Sequence, residues 1–123
     1  MSETTHSGLS DNAAGAIAYI TFIPAIVFLI MPPYNSSPYV RFHAWQSIFL
    51  NIVAFIVDVA LSFVLTFTVS MLPFGSYFLG RMIWVLVELA WFVVWIICLL
   101  QAMNGKRFKL PILGDLAEKQ ATR

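Results

Sequence analysis

The sequence predicts an all-α integral membrane protein, a bundle of three transmembrane helices in a single domain over residues 1–123. The chain is 60% hydrophobic and 11% charged, whereas soluble domains carry about 25% charged residues. A soluble protein of 123 residues has too much surface to hide this many apolar side chains. The predicted spans, at about 13–30, 42–72 and 77–103, are each near or above the ~20 residues that cross a bilayer core.

The first predicted span begins after polar residues that suit a helix start. Ser10, Asp11 and Asn12 offer N-cap side chains directly before the apolar run. Residues 1–10 carry no Lys or Arg, so we expect a retained span rather than a cleaved leader. Pro24 removes a backbone donor inside the run and predicts a kink there. A kinked full span and a re-entrant segment are both compatible with this pattern.

The second and third spans are longer and are joined by a short turn. A loop at 31–39, rich in proline and tyrosine, precedes the second span, which ends near Leu72. This span exceeds a perpendicular crossing, so tilt or protrusion is expected. After a turn at 73–76, the third span runs to an Asn-Gly stop at 104–105. Its tryptophans share one face and predict a packing surface: Trp84, Trp91 and Trp95.

The basic residues predict the orientation. For three spans, six of the seven lie on one side of the membrane and only Arg81 lies on the other; the six are Arg41, Lys106, Arg107, Lys109, Lys119 and Arg123. The positive-inside rule therefore predicts a bacterial cytoplasmic (inner) membrane protein with a cytoplasmic C-terminal tail at 104–123. A re-entrant first segment would move only the N-terminus to the cytoplasmic side.

The tail carries its positive charges next to an apolar patch at 110–113. This arrangement predicts either an interfacial segment that binds anionic lipid headgroups through Lys106, Arg107 and Lys109, or a solvated tail.

Polar side chains within the spans are the main functional candidates, because a charged group in lipid is costly. Asp58 and Glu88 lie at similar depth on antiparallel neighbours. The second span carries a polar stripe within an arc of about 100°, which normally faces protein or water: His43, Ser47, Asn51, Asp58 and Ser62. The stripe predicts either hydrogen bonds that join helices or a proton relay.

A second candidate is the motif Arg41, His43 and Gln46 at the start of the second span. Arg41 is placed to bind lipid phosphate or an acidic group of a partner. His43 predicts a hydrogen-bonded side chain, with haem or pigment ligation as the alternative. Gln46 lies about 60° from His43 around the helix, so the motif could serve two neighbours.

The sequence lacks the patterns of soluble catalysis, which makes an enzyme unexpected. It has no glycine-rich phosphate loop, no His/Cys ligand cluster and no recognisable triad. Neither a metal nor a cofactor is predicted. The net charge of +1 is too small for a nucleic-acid partner.

Three stretches carry a resemblance to a known family: 11–25, with Asp-Asn-Ala-Ala-Gly and Ile-Pro-Ala; 40–47, with Val-Arg-Phe-His-Ala-Trp-Gln-Ser; and 108–119, with Phe-Lys-Leu-Pro-Ile-Leu-Gly-Asp. In order and spacing they resemble small uncharacterised bacterial membrane proteins distantly related to the import component of the chloroplast inner-envelope (Tic) translocon. The resemblance implies a helical membrane domain and permits protein translocation.

Three functions follow from these observations. The first is a structural or accessory subunit that associates with itself or joins a larger membrane complex, with the bilayer as its other partner. The second is a translocon-like or proton-linked transport module, suggested by the resemblance, Asp58 and Glu88. The third is a pigment- or haem-binding subunit, which rests on His43 alone.

Overall fold

The structure, a computed structural model, describes residues 10–122, and the elements in this part of the chain are all helices. Residues 1–9 and Arg123 lie outside the described part, and so does the expectation of a retained, uncleaved start. The helices are α1 (Asp11–Ile17), α2 (Phe22–Ile30), α3 (Pro38–Met71), α4 (Ser76–Met103) and α5 (Leu113–Ala121), with a 3-10 turn at Tyr34–Ser36.

Two of these helices, α3 and α4, are long and apolar enough to cross a membrane. They contain 34 and 28 residues, so they extend about 51 Å and about 42 Å at 1.5 Å per residue. Large apolar side chains stand exposed along both helices, among them Phe55, Phe63 and Phe92. The all-α prediction is confirmed, and lipid is the surrounding in which this surface is stable.

The predicted first span is two short helices instead of one kinked helix. Ser10 caps α1 as expected, accepting a hydrogen bond from the Ala13 amide at 3.2 Å. The chain then leaves the helix, and Thr21 caps α2. Pro24 is the third residue of α2, in the first turn, where a missing amide breaks no intrahelical bond. The predicted kink at Pro24 is therefore wrong, and the break lies before it.

The start of α1 and the end of α2 both lie at the N-terminal end of α3. Ser37, the N-cap of α3, donates to Asp11 at the start of α1 with an oxygen–oxygen distance of 2.8 Å. The end of α2 leads within a few residues to the same cap, and Phe28 of α2 packs with Val40 of α3. The segment thus turns back on itself. A third full span is not confirmed, and the re-entrant alternative has this geometry.

The tail also folds back along α3. It runs outside any helix from Gly105 to Ile112 and returns as α5, whose Ala117 and Ala121 pack with Phe42. Ile112 adopts a positive φ of 65° at the reversal, a conformation that is strained for a β-branched residue. The core therefore sits around the first half of α3, between α1, α2, α5 and the end of α4. No other described helix covers the rest of the α3–α4 hairpin.

Candidate functional site

Three buried polar side chains form the centre of the packed end, by which we mean the end of the α3–α4 hairpin that α1, α2 and α5 cover. Tyr19, which follows α1, is 1% exposed, and His43 and Gln46 on α3 are 0% exposed. The Gln46 amide nitrogen donates to the Tyr19 hydroxyl oxygen at 2.7 Å. The same hydroxyl lies 2.7 Å from Nδ1 of His43. Because about one helical turn separates His43 from Gln46, both reach the same hydroxyl. Both side chains also bond the backbone of the tail, so the two residues share two neighbours, Tyr19 and residues 106–110.

The hydrogen bonds define the state of the His43 ring. Since Gln46 donates to Tyr19, the Tyr19 proton is free to point at Nδ1 of His43, which accepts it. The ring then carries its own proton on Nε2 and donates to the Lys106 carbonyl oxygen at 3.0 Å. Both ring nitrogens are engaged within the chain, so haem or pigment ligation would have to break one of these bonds.

Gln46 also forms two hydrogen bonds with the backbone of the tail, one as donor and one as acceptor. Its amide nitrogen donates to the Phe108 carbonyl at 2.8 Å, and its amide oxygen accepts from the Leu110 amide at 3.0 Å. A side-chain amide has the same donor and acceptor as a peptide group, so it can pair with one residue on each side of Lys109. We call Tyr19, His43, Gln46 and residues 106–110 the tail clamp.

Arg41 holds the other end of the tail. Its guanidinium donates to the carbonyls of Ala121 at 3.1 Å and Gln120 at 3.2 Å, and to the Asn35 carbonyl at 3.3 Å. The Ala121 and Gln120 carbonyls belong to the last turn of α5, where the helix has few amides left to bond its carbonyls. Arg41 therefore caps the end of α5, because α5 folds back alongside the start of α3. The predicted contact of Arg41 was with lipid phosphate or an acidic group of a partner.

The basic residues predicted to bind headgroups have different surroundings. Arg107 lies over the rings of Tyr39 and Phe42, at 6.0 Å and 5.9 Å from their centres. Lys109 forms an ion pair with Glu118 of α5. That pairing raises the pKa of Lys109 and lowers the pKa of Glu118. Lys106 is exposed, and headgroup binding by these residues stays a prediction.

Away from the packed end, Asp58 and Glu88 meet between α3 and α4. The two carboxylates interact electrostatically, and the Trp91 indole nitrogen donates to the Asp58 carboxylate at 3.3 Å. Counted along their helices, Asp58 and Glu88 lie about 20 Å and about 18 Å from the connecting turn, near the middle of a bilayer core.

Two cavities flank this carboxyl pair in the groove between the helices. The inner cavity, of about 330 Å³, is lined by Ser47, Asn51, Glu88 and Trp95 among others. The outer cavity, of about 780 Å³, lies towards the turn and is lined in part by Ser62, Thr66, Arg81, Trp84 and Tyr77. Four of the predicted stripe residues thus follow one groove. His43, predicted on the same stripe, is buried in the tail clamp.

Sequence reasoning missed Tyr19 and Tyr39. Tyr19 links three elements, because its carbonyl also accepts from the Trp95 indole of α4. The Tyr39 hydroxyl donates to the Ala102 carbonyl near the end of α4. The available signal was a tyrosine at the end of an apolar run, since a buried tyrosine hydroxyl needs a partner.

Comparison with known proteins identifies related membrane proteins. A profile of the family described as "Magnetosome magnetite crystal formation protein family" matches residues 5–117. A UPF0132 membrane protein of Methanocaldococcus jannaschii is 37% identical over 94% of this chain and 92% of its own length. One from Archaeoglobus fulgidus is 34% identical over 91% of this chain and 96% of its own length. No solved structure matches.

These matches correct the resemblance drawn from the three sequence stretches. They lead to archaeal membrane proteins and to the magnetosome family, and they show no link to the Tic translocon. The assignment to a translocon-related bacterial family is therefore wrong. The motifs at 11–25, 40–47 and 108–119 that led to it lie within the region that the magnetosome family profile matches, apart from the last two residues.

Proposed function

The chain belongs to the magnetosome magnetite crystal formation protein family, and on this basis we propose that it is an accessory membrane subunit that associates with copies of itself. The family description names magnetite crystals, whereas the archaeal relatives are named only as membrane proteins. A role in the membrane is the part common to both. The chain offers the part of its α3–α4 groove around Asp58 and Glu88 for the association.

The carboxyl pair carries this proposal. Glu88 is exposed on a surface that lies among lipid-facing apolar side chains. Arg81, the nearest cation on the described part of α4, is about 10 Å away along the helix. Lipid offers no hydrogen-bond partner, so a polar group exposed at this depth is stabilised by covering it with protein. A second copy brings its own carboxyls to the same depth.

We place the protein in the cytoplasmic membrane with its packed end on the cytoplasmic side. Supporting this, the N-terminal pair α1–α2 and the tail both lie at the end that carries Arg41, Lys106, Arg107, Lys109 and Lys119. The turn end of the hairpin carries Arg81 alone among the described cations. Two spans with a re-entrant N-terminal pair then obey the positive-inside rule with both chain ends inside.

Energy transfer between labelled copies in liposomes tests the association. Wild type should keep its transfer as lipid is added. Asp58→Leu with Glu88→Leu should lose it, because leucine cannot form hydrogen bonds between the copies. Asp58→Asn with Glu88→Gln should retain it, since neutral amides still bond across helices. Thr68→Leu, an exposed change outside the groove, is the control. Transfer that vanishes on dilution of the wild type, or persists in the double leucine variant, contradicts the proposal.

Proton-linked transport is the second candidate, and the two cavities on opposite sides of the carboxyl pair favour it. A proton held between Asp58 and Glu88 would have a polar space on each side. Proton flux into liposomes separates the two functions. Asp58→Asn with Glu88→Gln should abolish flux if the pair relays protons, while leaving the association intact. Flux that is absent in the wild type, or unchanged in this variant, excludes the relay.

A further inference from the structure

The outer cavity lies beside the 73–76 turn, at the turn end of the α3–α4 hairpin, and the proposed association does not involve it. It extends along α3 from the turn at Leu72 inwards to Ser62, about 15 Å at 1.5 Å per residue. This length matches one leaflet of a hydrocarbon core about 30 Å thick. Its volume of about 780 Å³ falls within the range of sites that bind small molecules.

The walls of the cavity are amphipathic. Leu65, Val69 and Trp84 provide apolar surface, and the exposed hydroxyls of Ser62 and Thr66 stand beside them. Arg81 is the cation of this cavity. Among residues 10–122, the ion pair found is Lys109 with Glu118, and Arg81 pairs with no carboxylate. Its neighbour in the groove, the carboxyl pair, lies about 10 Å deeper along α4.

The position of Arg81 fits a phosphate at the membrane surface. It stands five residues after the start of α4, about 7 Å below the turn. An arginine side chain reaches over a similar distance, so its guanidinium can extend to the headgroup level while its stem stays in the apolar region. A guanidinium matches phosphate with two parallel hydrogen bonds. A cation without an ion-pair partner in an apolar cavity of leaflet length complements the charge and the shape of a phospholipid.

We propose that the outer cavity binds one anionic phospholipid from the leaflet on the turn side, with its phosphate on Arg81 and an acyl chain along Leu65, Val69 and Trp84. The site is separate from the carboxyl pair and holds whether or not the chain associates. It is a specific lipid site on the hairpin, at the end opposite the basic tail.

Native mass spectrometry of the delipidated full chain tests the site by titration with phosphatidylglycerol, phosphatidylcholine or inorganic phosphate. Wild type should bind one phosphatidylglycerol, with phosphatidylcholine about tenfold weaker because it has no net negative charge. Arg81→Gln should weaken phosphatidylglycerol binding at least about tenfold, and Arg81→Lys by less, since a lysine keeps the charge without the fork. Lys119→Gln, which removes one exposed charge at the other end, should bind as wild type does.

A second variant keeps the test decisive if Arg81→Gln fails to fold. Thr66→Trp retains Arg81 and fills the apolar part of the cavity, so it should also lose the lipid while its helical circular dichroism is unchanged. Equal binding of the two lipids, equal binding by Arg81→Gln, or retained binding by Thr66→Trp would overturn the proposal. Displacement of the lipid by millimolar inorganic phosphate would overturn it too, because the acyl chain should hold the lipid in place.

Discussion

Gln46 shows how one side chain can join distant parts of this chain. Its amide contacts Tyr19, Phe108 and Leu110, which belong to the two ends of the sequence. Each hydrogen of the amide nitrogen has an acceptor and the amide oxygen has a donor, so burial leaves this end of the side chain satisfied. The tail therefore depends on a residue more than sixty positions earlier for its backbone hydrogen bonds.

Gln46→Leu should loosen the tail clamp. Leucine fills a similar volume but leaves the Phe108 carbonyl and Leu110 amide without partners, and each unsatisfied buried group costs about 1–3 kcal/mol. We expect a loss of about 2–5 kcal/mol in the free energy of unfolding. Faster hydrogen exchange at 108–110 should accompany it, measured in detergent micelles.

Asn51→Leu is the matched control for this change. It makes the same chemical substitution one and a half turns along α3, but the Asn51 amide bonds only within its own helix, to Ser47. Its unfolding free energy should change by less than about 1 kcal/mol. Equal losses in the two variants would mean that the tail contacts of Gln46 contribute nothing.

The Lys109–Glu118 pair should make the docking of α5 depend on pH at two extremes. Because the folded pKa of Glu118 is lowered, its contribution is present above the pKa of a free glutamate, about 4.3, and is lost as pH falls through the folded value. The folded pKa of Lys109 is raised, so its contribution is present below about 10.4 and is lost at higher pH.

Hydrogen exchange of α5 across pH, corrected for intrinsic rates, measures this. Glu118→Gln should remove the acid dependence, whereas Asp115→Asn should keep it, because Asp115 is exposed and forms no ion pair among the described residues. Both side chains of the pair are exposed by more than two fifths, so the effect should be small and should shrink in salt. A protection that is flat across acid pH in the wild type would contradict it.

At the scale of elements, the sequence predicted the long helices well and the short ones poorly. The predicted spans at 42–72 and 77–103 end within a residue of Pro38–Met71 and Ser76–Met103 at three of their four ends. Long apolar runs with prolines or glycine at their ends are unambiguous. The break between α1 and α2 carries only Thr21 as a polar signal, and Pro24, which suggested a kink, stands in a permitted first-turn position.

Some of the site residues could be placed from the sequence and others could not. Depth along a helix placed Asp58 opposite Glu88, because the turn at 73–76 fixes the register. The tail clamp could not be predicted, since hydrogen bonds from side chains to an extended backbone leave no periodic pattern. Helix α5 was readable in principle from its small residues at three- and four-residue spacing, Gly114, Ala117 and Ala121.

Gly114→Ala should displace α5. A Cβ at this position would lie 2.5 Å from Cβ and 2.7 Å from Cα of Lys109, so the tail backbone must move. We expect a loss of about 1–3 kcal/mol in unfolding free energy and faster proteolysis of the tail. Gly75→Ala is the control, because its added Cβ meets nothing within 4 Å. Equal stability of the two variants would show that α5 is not packed as described.

At the scale of the whole molecule, the two ends of the hairpin differ in charge and in thickness. One end is wrapped by α1, α2 and α5 and carries most of the cations, while the other is a bare pair of helices with Arg81. The α2 surface is apolar and exposed at Ile23, Ile26 and Ile30, whereas the outer face of α5 is charged at Asp115 and Lys119. Such an end fits a membrane interface, with α2 towards lipid and α5 towards water.

Labelling of single cysteines with a membrane-impermeant maleimide is the most direct test of the two-span topology with a re-entrant N-terminal pair. In a Cys98→Ser background, Ser10→Cys, Ser36→Cys and Thr122→Cys should all be protected in intact cells and labelled in inverted vesicles. Gly75→Cys, in the turn, should show the opposite pattern. Labelling of Ser10→Cys together with Gly75→Cys in intact cells would mean that the first segment crosses the membrane, and it would contradict the account.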